Sequence, residues 1–175
     1  MRVSAKADYA ARAAAELSTA TDKPIKADRI AQAQDIPAKF LETILLELKH
    51  AGIVRSQRGP EGGYALARPA EEISVADVIR AVDGPLANVR GDRPENMEYN
   101  GAAEPLTDVW IAVRAALRDI LETTTLANLR DGELPPRVAE LADDPEAWVS
   151  LGRIRGATPT GGRKSAQPKV SNAKS

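Results

Sequence analysis

The sequence contains no cysteine among its 175 residues. That absence excludes a disulfide framework, a thiolate zinc site, a catalytic cysteine and an iron–sulfur cluster held by cysteine sulfur. Histidine occurs once, at His50, in the last turn of a predicted helix. A lone imidazole there is expected to favour the helix dipole or to contact a phosphate rather than to bind a metal. We therefore predict neither a metal nor a cofactor.

Long apolar runs are missing as well. No stretch of 18 consecutive apolar residues occurs, so we expect no membrane-spanning helix. Arg2, Lys6, Asp8 and Arg12 interrupt the N-terminal segment before it could form the apolar core of a signal peptide. No Ser/His/Asp set or pair of carboxylates stands out from scattered charge, which argues against an enzyme. A cytoplasmic protein without catalytic activity is the expectation.

Charge is distributed unevenly along the chain although the net charge is only -1. Residues 1–70 hold eleven Lys and Arg against eight Asp and Glu, whereas residues 71–151 hold seven against seventeen. Residues 152–175 hold six basic residues and no acidic one. A basic N-terminal segment and a basic tail thus flank an acidic middle. This pattern is typical of a protein that presents only selected surfaces to a polyanion.

Three helices are predicted in the N-terminal segment. Ser4 can cap the first helix, which carries small apolar residues at helical spacing. A second, short helix spans about 26–34, and Pro37 suits the first turn of a third helix because a helix start leaves that N–H unpaired. The third helix ends near Gly52, which favours a left-handed cap. Its predicted apolar face consists of Phe40, Leu41, Ile44, Leu45 and Leu48.

A β-hairpin is predicted directly after the third helix. Two strand-like runs, 53–57 and 63–67, flank the basic turn RGPEG. A hairpin in this position is a wing beside a helix-turn-helix unit. Ser74 can cap a further helix that ends near Gly84. The glycines of the turn could also suggest a phosphate-binding loop, but their spacing is not that of a P-loop and the turn joins two strands. Residues 1–85 are therefore predicted to form a winged helix-turn-helix domain in a mostly α protein.

The C-terminal half is predicted to contain one long helix. Residues 86–104 lose their periodicity and read as a linker, and 105–150 should hold the long helix and a short one near 134–141. The long helix carries an apolar stripe longer than one small neighbour could cover, which favours a homodimer. We expect residues 151–175 to form a basic, disordered tail. The predicted interface consists of Leu106, Val109, Trp110, Val113, Leu117, Ile120 and Leu121.

Several phrases resemble a known protein family. MRVSAKADYAARAAAEL, IPAKFLETILLELKHAGIVRSQRGPEGGYALARP and EEISVADVIRAVDGPL are similar to winged-helix bacterial regulators of the Rrf2 family, which includes IscR, NsrR and CymR. The resemblance covers about residues 1–86, with a weaker echo at VWIAVRAALRDILETTTLANL. It implies a sequence-specific transcriptional regulator that binds double-stranded DNA. Combined with the predicted homodimer, it implies a repressor that binds a palindromic operator.

The resemblance also implies which residues contact DNA. Lys39, Glu42 and Thr43 could by themselves be a solvated helix face, but the wing beside them favours base contacts. Glu42 could accept a hydrogen bond from a cytosine amino group, or serve only to reject other sequences. Glu47 departs from the family, which usually has a basic or neutral residue there. The implied set is Arg2, Ser4, Lys6 and Tyr9 near phosphates, Ala38, Lys39, Glu42 and Thr43 facing bases, and Arg58 with Gly59, Gly62 and Gly63 in the wing.

The linker leaves two interpretations open. Many family members hold an iron–sulfur cluster there through three cysteines, but NVRGDRPENMEYNGAAEPL contains none, so this member is predicted to be cluster-free. The linker could be a plain surface loop. Alternatively, Arg90 and Arg93 could help it to sense a small anionic effector or a metabolic enzyme. A rival function is a winged-helix scaffold that docks a metabolic enzyme without regulating genes.

Overall fold

The computed structural model describes residues 2–20 and 23–149. Contacts divide the chain into two compact units, Met1–Pro135 and Pro136–Ser175. The predicted disordered tail, 151–175, lies outside the described residues. Within the described ranges, no helix has the length and apolar character needed to cross a membrane.

The first unit begins with three helices, α1 (Ala5–Leu17), α2 (Ala27–Gln34) and α3 (Ala38–His50). The Ser4 hydroxyl caps α1 by accepting a hydrogen bond from the Ala7 N–H at 2.9 Å. As predicted, α3 starts after Pro37, and Gly52 follows its end with a φ of 70°. Small side chains let the other helices approach α1 closely. The buried face of α1 consists of Ala7, Ala10, Ala13, Ala14 and Leu17.

The wing is an antiparallel hairpin of β1 (Val54–Gln57) and β2 (Gly63–Leu66), with Arg55 opposite Ala65. Ile25, just before α2, pairs with Tyr64 and ties the hairpin to the helices. A Cβ atom on Gly63 would lie 2.5 Å from the Ile25 carbonyl oxygen, so only glycine fits at this contact. The base of the hairpin is therefore fixed to the helix-turn-helix unit.

Two further helices follow the wing. α4 (Val75–Asp83) starts with a capping box in which Ser74 and Asp77 bond to each other's backbone N–H, and it packs against α1. The segment between α4 and α5 (Leu106–Leu121) has no α-helix and contains two short 3-10 turns. α5 spans the residues of the predicted apolar stripe, from Leu106 to Leu121.

The next helix, α6 (Leu126–Asp131), is not predicted by the sequence pattern. Its Leu126 is fully buried in the same core as α1, and the Leu126 N–H donates to the Ile73 carbonyl at 2.9 Å. The chain therefore returns after α5 to close the core of the first unit. Six residues are too few for a periodic signal, which explains why the pattern does not reveal this helix. The second unit contains α7 (Pro136–Asp143), close to the predicted 134–141.

One side chain of the predicted apolar face of α3 is exposed instead of buried. Leu41, Ile44 and the other two members of that face are buried, but Phe40 is 57% exposed. The Phe40 ring meets the ring of Tyr9, on α1, edge-on, with 6.3 Å between centroids. Phe40 therefore shares the predicted apolar face of α3 but lies outside the core.

The position of α6 can be tested by unfolding. Leu126→Ala should lower the free energy of unfolding by about 2–5 kcal/mol, because it leaves a cavity in the core. Leu129→Ala is the matched control on the same helix, where the side chain is 37% exposed, and it should change stability by about 0.5 kcal/mol. Urea unfolding followed by circular dichroism measures both. Equally small effects would contradict the burial of α6 in this core.

Candidate DNA-binding surface

The outer face of α3 carries the side chains predicted to face bases. Ala38, Lys39, Glu42 and Thr43 are all exposed, on the side opposite the buried leucines. The Thr43 hydroxyl donates to the Lys39 carbonyl at 3.4 Å, one turn earlier. No ion pair involves Lys39 or Glu42 among residues 2–20 and 23–149. A helix with such a face can enter the major groove, which is about 12 Å wide.

Lys6, predicted to lie near phosphates, is bound by an acidic residue of α3. Its Nζ atom lies 3.0 Å from Oε2 of Glu47, a residue 41 positions later in the chain. That carboxylate oxygen is buried and has no hydrogen-bond partner among the described residues, so the ion pair compensates its charge. Moving Lys6 to another partner would therefore break its pair with a carboxylate of which one oxygen is buried.

Ser4 and Tyr9 also have partners within the protein. The Ser4 hydroxyl caps α1 and donates to the Asp83 carboxylate at the end of α4. Tyr9 lies between the Phe40 ring and the Arg12 guanidinium, which is 4.7 Å from the Tyr9 ring centroid. Sequence reasoning assigned neither Phe40 nor Arg12 to this surface. Arg12 could have been found from the sequence, because it lies three residues after Tyr9 on the same predicted helix and such residues are neighbours on a helix surface.

Arg12 joins three helices beside this surface. It pairs with Asp8 at 2.9 Å on α1, and its Nη1 donates to the Gln34 carbonyl at the end of α2 at 2.8 Å. Because Tyr9 in turn touches Phe40 of α3, this cluster fixes α3 relative to α1 and α2. The cluster thus helps to set the orientation of the outer face of α3 relative to α1 and α2.

The turn of the wing is narrow and carries one arginine, Arg58, and one acidic residue, Glu61. A Cβ atom on Gly62 would lie 2.4 Å from the Gln57 carbonyl oxygen, and Gly59 has a φ of 110°, which favours glycine. These glycines let the turn present an exposed Arg58. A narrow turn that exposes an arginine suits the minor groove, because the negative potential of that groove attracts guanidinium groups. Arg2 is exposed as well, at the start of the chain.

Further cations lie at the start of α2, where sequence reasoning assigned no contact. Lys23, Lys26 and Arg29 are exposed around one shallow cavity, which Ile25 connects to the wing. Lys23 faces Glu61 of the wing turn at 3.5 Å, but both side chains are at least 80% exposed, so this pair is weak. Cations in this position can contact phosphates beside the grooves. The sequence could have indicated this group, because Lys23, Lys26 and Arg29 lie within seven residues of one another.

The structure separates the two linker arginines that sequence reasoning paired. Arg90 lies 6.0 Å from the Tyr99 ring centroid and beside an apolar cavity lined by Trp110 and Val113. The Tyr99 hydroxyl accepts a hydrogen bond from the Trp110 indole at 3.1 Å. Arg93 lines a different cavity, which Arg80, Arg114 and Arg118 also line. The two arginines therefore line different cavities, which share Asn88.

The apolar stripe of α5 remains partly uncovered within one chain. No residue of α5 is buried, and Val109 is 48% exposed. The linker covers one side of the helix through Trp110 and through Thr107, whose hydroxyl donates to the Met97 carbonyl at 3.1 Å. The other members of the predicted interface are half-buried: Leu106, Trp110, Val113, Leu117, Ile120 and Leu121.

Comparisons with known proteins identify relatives of the chain. The model of the Rrf2 family, described as an iron-dependent transcriptional regulator, matches residues 3–132. Rv1287 of Mycobacterium tuberculosis, itself a predicted HTH-type transcriptional regulator, is 53% identical over 86% of this chain and 94% of its own length. The HTH-type transcriptional regulator CymR of Bacillus subtilis is 33% identical over 76% of this chain and 94% of its own length.

Solved structures agree with these matches. The structure of CymR (YrzC), the global cysteine regulator of B. subtilis, superimposes with a TM-score of 0.65 at 30% identity, covering 75% of this chain and 98% of CymR. The T. potens IscR structure gives a TM-score of 0.60 at 28% identity, covering 87% and 94%. The predicted winged-helix fold and its resemblance to this family are confirmed.

The family description raises the question of whether iron fits this chain. The sequence has no cysteine, and its one histidine is exposed at the end of α3. Among the described residues, no group of three or more His, Cys, Asp or Glu side chains is arranged to hold a metal ion. These side chains do not fit an iron–sulfur cluster, so the chain is a cluster-free member.

The Lys6–Glu47 ion pair gives a direct test of this surface. Glu47→Gln should tighten binding to every DNA sequence, because it removes a negative charge and frees Lys6 for a phosphate. The slope of log K against log salt should steepen by about one unit. Fluorescence anisotropy at several salt concentrations measures both quantities. Glu71→Gln, which breaks the pair with Arg130, is the control and should have no effect; the same affinity and slope for Glu47→Gln would exclude a role for Lys6 in DNA binding.

Proposed function

Because this chain belongs to the Rrf2 family of DNA-binding transcriptional regulators, we propose that it is a homodimeric repressor that binds a palindromic operator. It is not an enzyme, since its relatives are regulators of transcription. The main observation behind the proposal is the polar, exposed outer face of α3 beside a narrow wing that ends in Arg58. A helix for the major groove and an arginine for the minor groove are the two parts that such recognition needs.

Base recognition is assigned to the first two turns of α3. Lys39 can donate to guanine O6 and N7, and the Thr43 side chain can contact a base edge or a thymine methyl group. Glu42 can accept from a cytosine amino group and repels phosphates elsewhere, so it adds selectivity at some cost in affinity. Arg2, Lys6 and Tyr9 are assigned to the backbone, because they lie on α1 or just before it, beside α3.

The division between base and phosphate contacts can be tested by comparing operator with random DNA. Thr43→Ala should weaken operator binding by about 1–3 kcal/mol and relax specificity at one position. Lys6→Ala should instead weaken binding to all sequences alike, because phosphates carry no sequence information. Titrations of both variants on an operator selected from a random library measure the two effects. Equal losses on both DNAs for both variants would overturn the assignment.

Dimerisation is assigned to the uncovered side of α5. A second copy is the simplest occupant of this stripe, because two identical helices can bury the same face against each other in a two-fold arrangement. Two-fold symmetry of the protein then requires two related half-sites in the DNA. This argument supports both the dimer and the palindrome.

A substitution at Val109 tests the interface without disturbing the fold of the protomer. Because its side chain is 48% exposed in one chain, Val109→Asp should leave the protomer folded while it places an unpaired charge in the dimer interface. Sedimentation should show monomers at micromolar concentration, with weaker operator binding. Ala115→Asp, exposed on another face of α5, is the control and should remain dimeric. A wild-type monomer, or a dimer of Val109→Asp, would contradict this interface.

The regulating signal is assigned to noncovalent binding of an anionic effector or a metabolic enzyme, since no thiol is present to react. Such a partner must bind one arrangement of the dimer better than another, because equal affinity for both shifts nothing. The alternative of a scaffold without a regulatory role is not favoured, since the named relatives are transcriptional regulators.

A further inference from the structure

A cavity of about 270 Å³ lies between α4, the linker and α5. Four arginines from these three elements line it, together with a single carboxylate, that of Glu95. Convergence of like charges on a small cavity is unfavourable unless something compensates it. We call it the arginine cavity, after Arg80, Arg93, Arg114 and Arg118.

Internal carboxylates compensate part of this charge. Glu122 pairs with Arg80 and with Arg118, whose Nε lies 3.0 Å from Oε1 of Glu122. Glu95 pairs with Arg114, and Asp77 lies 3.8 Å from Arg80. Hydrogen bonds from Arg80 and Arg118 lower the pKa of Glu122, so its carboxylate is ionised at neutral pH. These acids hold three of the four arginines in place at the edge of the cavity.

Donor groups remain free after these pairs are counted. The Arg93 guanidinium makes no hydrogen bond or ion pair within the described part of the chain, although its charge acts on the nearby Asp92 and Glu95 carboxylates. The Arg93 backbone bonds to the Asp92 side chain and to the Asn96 N–H. Arg118 uses Nε alone, which leaves both of its Nη groups available. Two planar guanidinium groups with free N–H donors match the paired oxygens of a carboxylate or phosphate.

We propose that the arginine cavity binds a small oxyanion, such as phosphate, sulfate or a short dicarboxylate. Arg93 and Arg118 donate to its oxygens. A neutral ligand would gain nothing from the charge of the guanidinium groups. The binding site stands on the cavity alone, whereas its effect on DNA rests on the proposed function.

The cavity lies at a joint between the interface helix and the DNA-binding helices. Asp83, at the end of α4, accepts a hydrogen bond from Ser4, which caps α1. Glu122, which follows the last residue of α5, pairs with Arg80 of α4. This pair connects α4 to α5, the helix that carries the apolar stripe. An anion that competes with Glu122 for these arginines would loosen the bridge between α4 and α5. Occupancy would thereby change the relation between the dimer and its two DNA-binding surfaces.

Binding can be measured without DNA. Isothermal titration of the full chain with phosphate, sulfate and succinate, at an ionic strength held constant with chloride, should show one site per protomer for at least one of these anions. Arg93→Gln should weaken that binding by about tenfold or more. Arg90→Gln is the matched control: it makes the same change of charge in the same linker, but its side chain lies against Tyr99 outside the cavity.

A second variant should strengthen anion binding instead of weakening it. Glu122→Gln removes a competing negative charge and should tighten anion binding. No heat with any of the three anions, equal weakening by Arg90→Gln and Arg93→Gln, or weaker binding by Glu122→Gln would overturn the assignment of the site.

The effect on DNA is measured separately. The affinity for a selected operator should change at least about fivefold on adding the bound anion, and this change should disappear in Arg93→Gln. Anion binding with an unchanged operator affinity would overturn the coupling. Failure of the wild type to select any operator would overturn the proposed function instead, while the calorimetric result would still decide the site.

Discussion

The packing of α1 is the constraint on which the rest of the structure depends. Its buried face is built almost wholly of alanine, and α2, α3, α4 and α6 all pack against this helix. Side chains this small let the backbones approach closely, so a larger residue would force the helices apart at a cost of about 1–3 kcal/mol. The orientation of the outer face of α3 relative to the wing follows from this packing. So does the burial of α6, a helix that arrives from the far end of α5.

Several basic side chains on the candidate DNA-binding surface are paired with carboxylates of the same chain. Lys6 is paired with Glu47, Arg12 with Asp8 and Lys23 with Glu61. Attraction to phosphates supplies most nonspecific affinity, so in the proposed mode of binding these pairs would weaken binding to arbitrary DNA. Lys39 on α3 and Arg58 on the wing have no such partner among the described residues. The proposed mode would therefore favour contacts in the grooves over contacts with the backbone.

The region around α5 combines two kinds of surface. One side of the helix is an incompletely covered apolar stripe, and the adjacent side carries Arg114 and Arg118 in an ion-pair network with α4 and the linker. Apolar contacts are non-directional and tolerate small shifts, whereas ion pairs at an exposed joint can be exchanged for other anions at little cost. In the proposed dimer, a helix with both surfaces would join two protomers and also connect the arginine cavity to α4.

Local signals in the sequence determined much of the first 85 residues. Ser4 and Ser74 cap helices where predicted, Gly52 follows α3, and glycines mark the wing turn. Each of these features is decided by backbone chemistry within a few residues, so it can be read without the fold. The absence of cysteine likewise settled, from the sequence alone, that no cluster of the family's usual kind can form.

Only the tertiary structure decided the features that join distant parts of the chain. The pairing of Lys6 with Glu47 spans 41 residues, Phe40 stays exposed although its neighbour Leu41 is buried, and Leu126 is buried because the chain returns to α1. The separation of Arg90 from Arg93 into two cavities is of the same kind, since neighbours in a loop can point in different directions. Periodicity and spacing describe neighbours along the chain, whereas these contacts follow from packing between elements whose relative positions no local pattern contains.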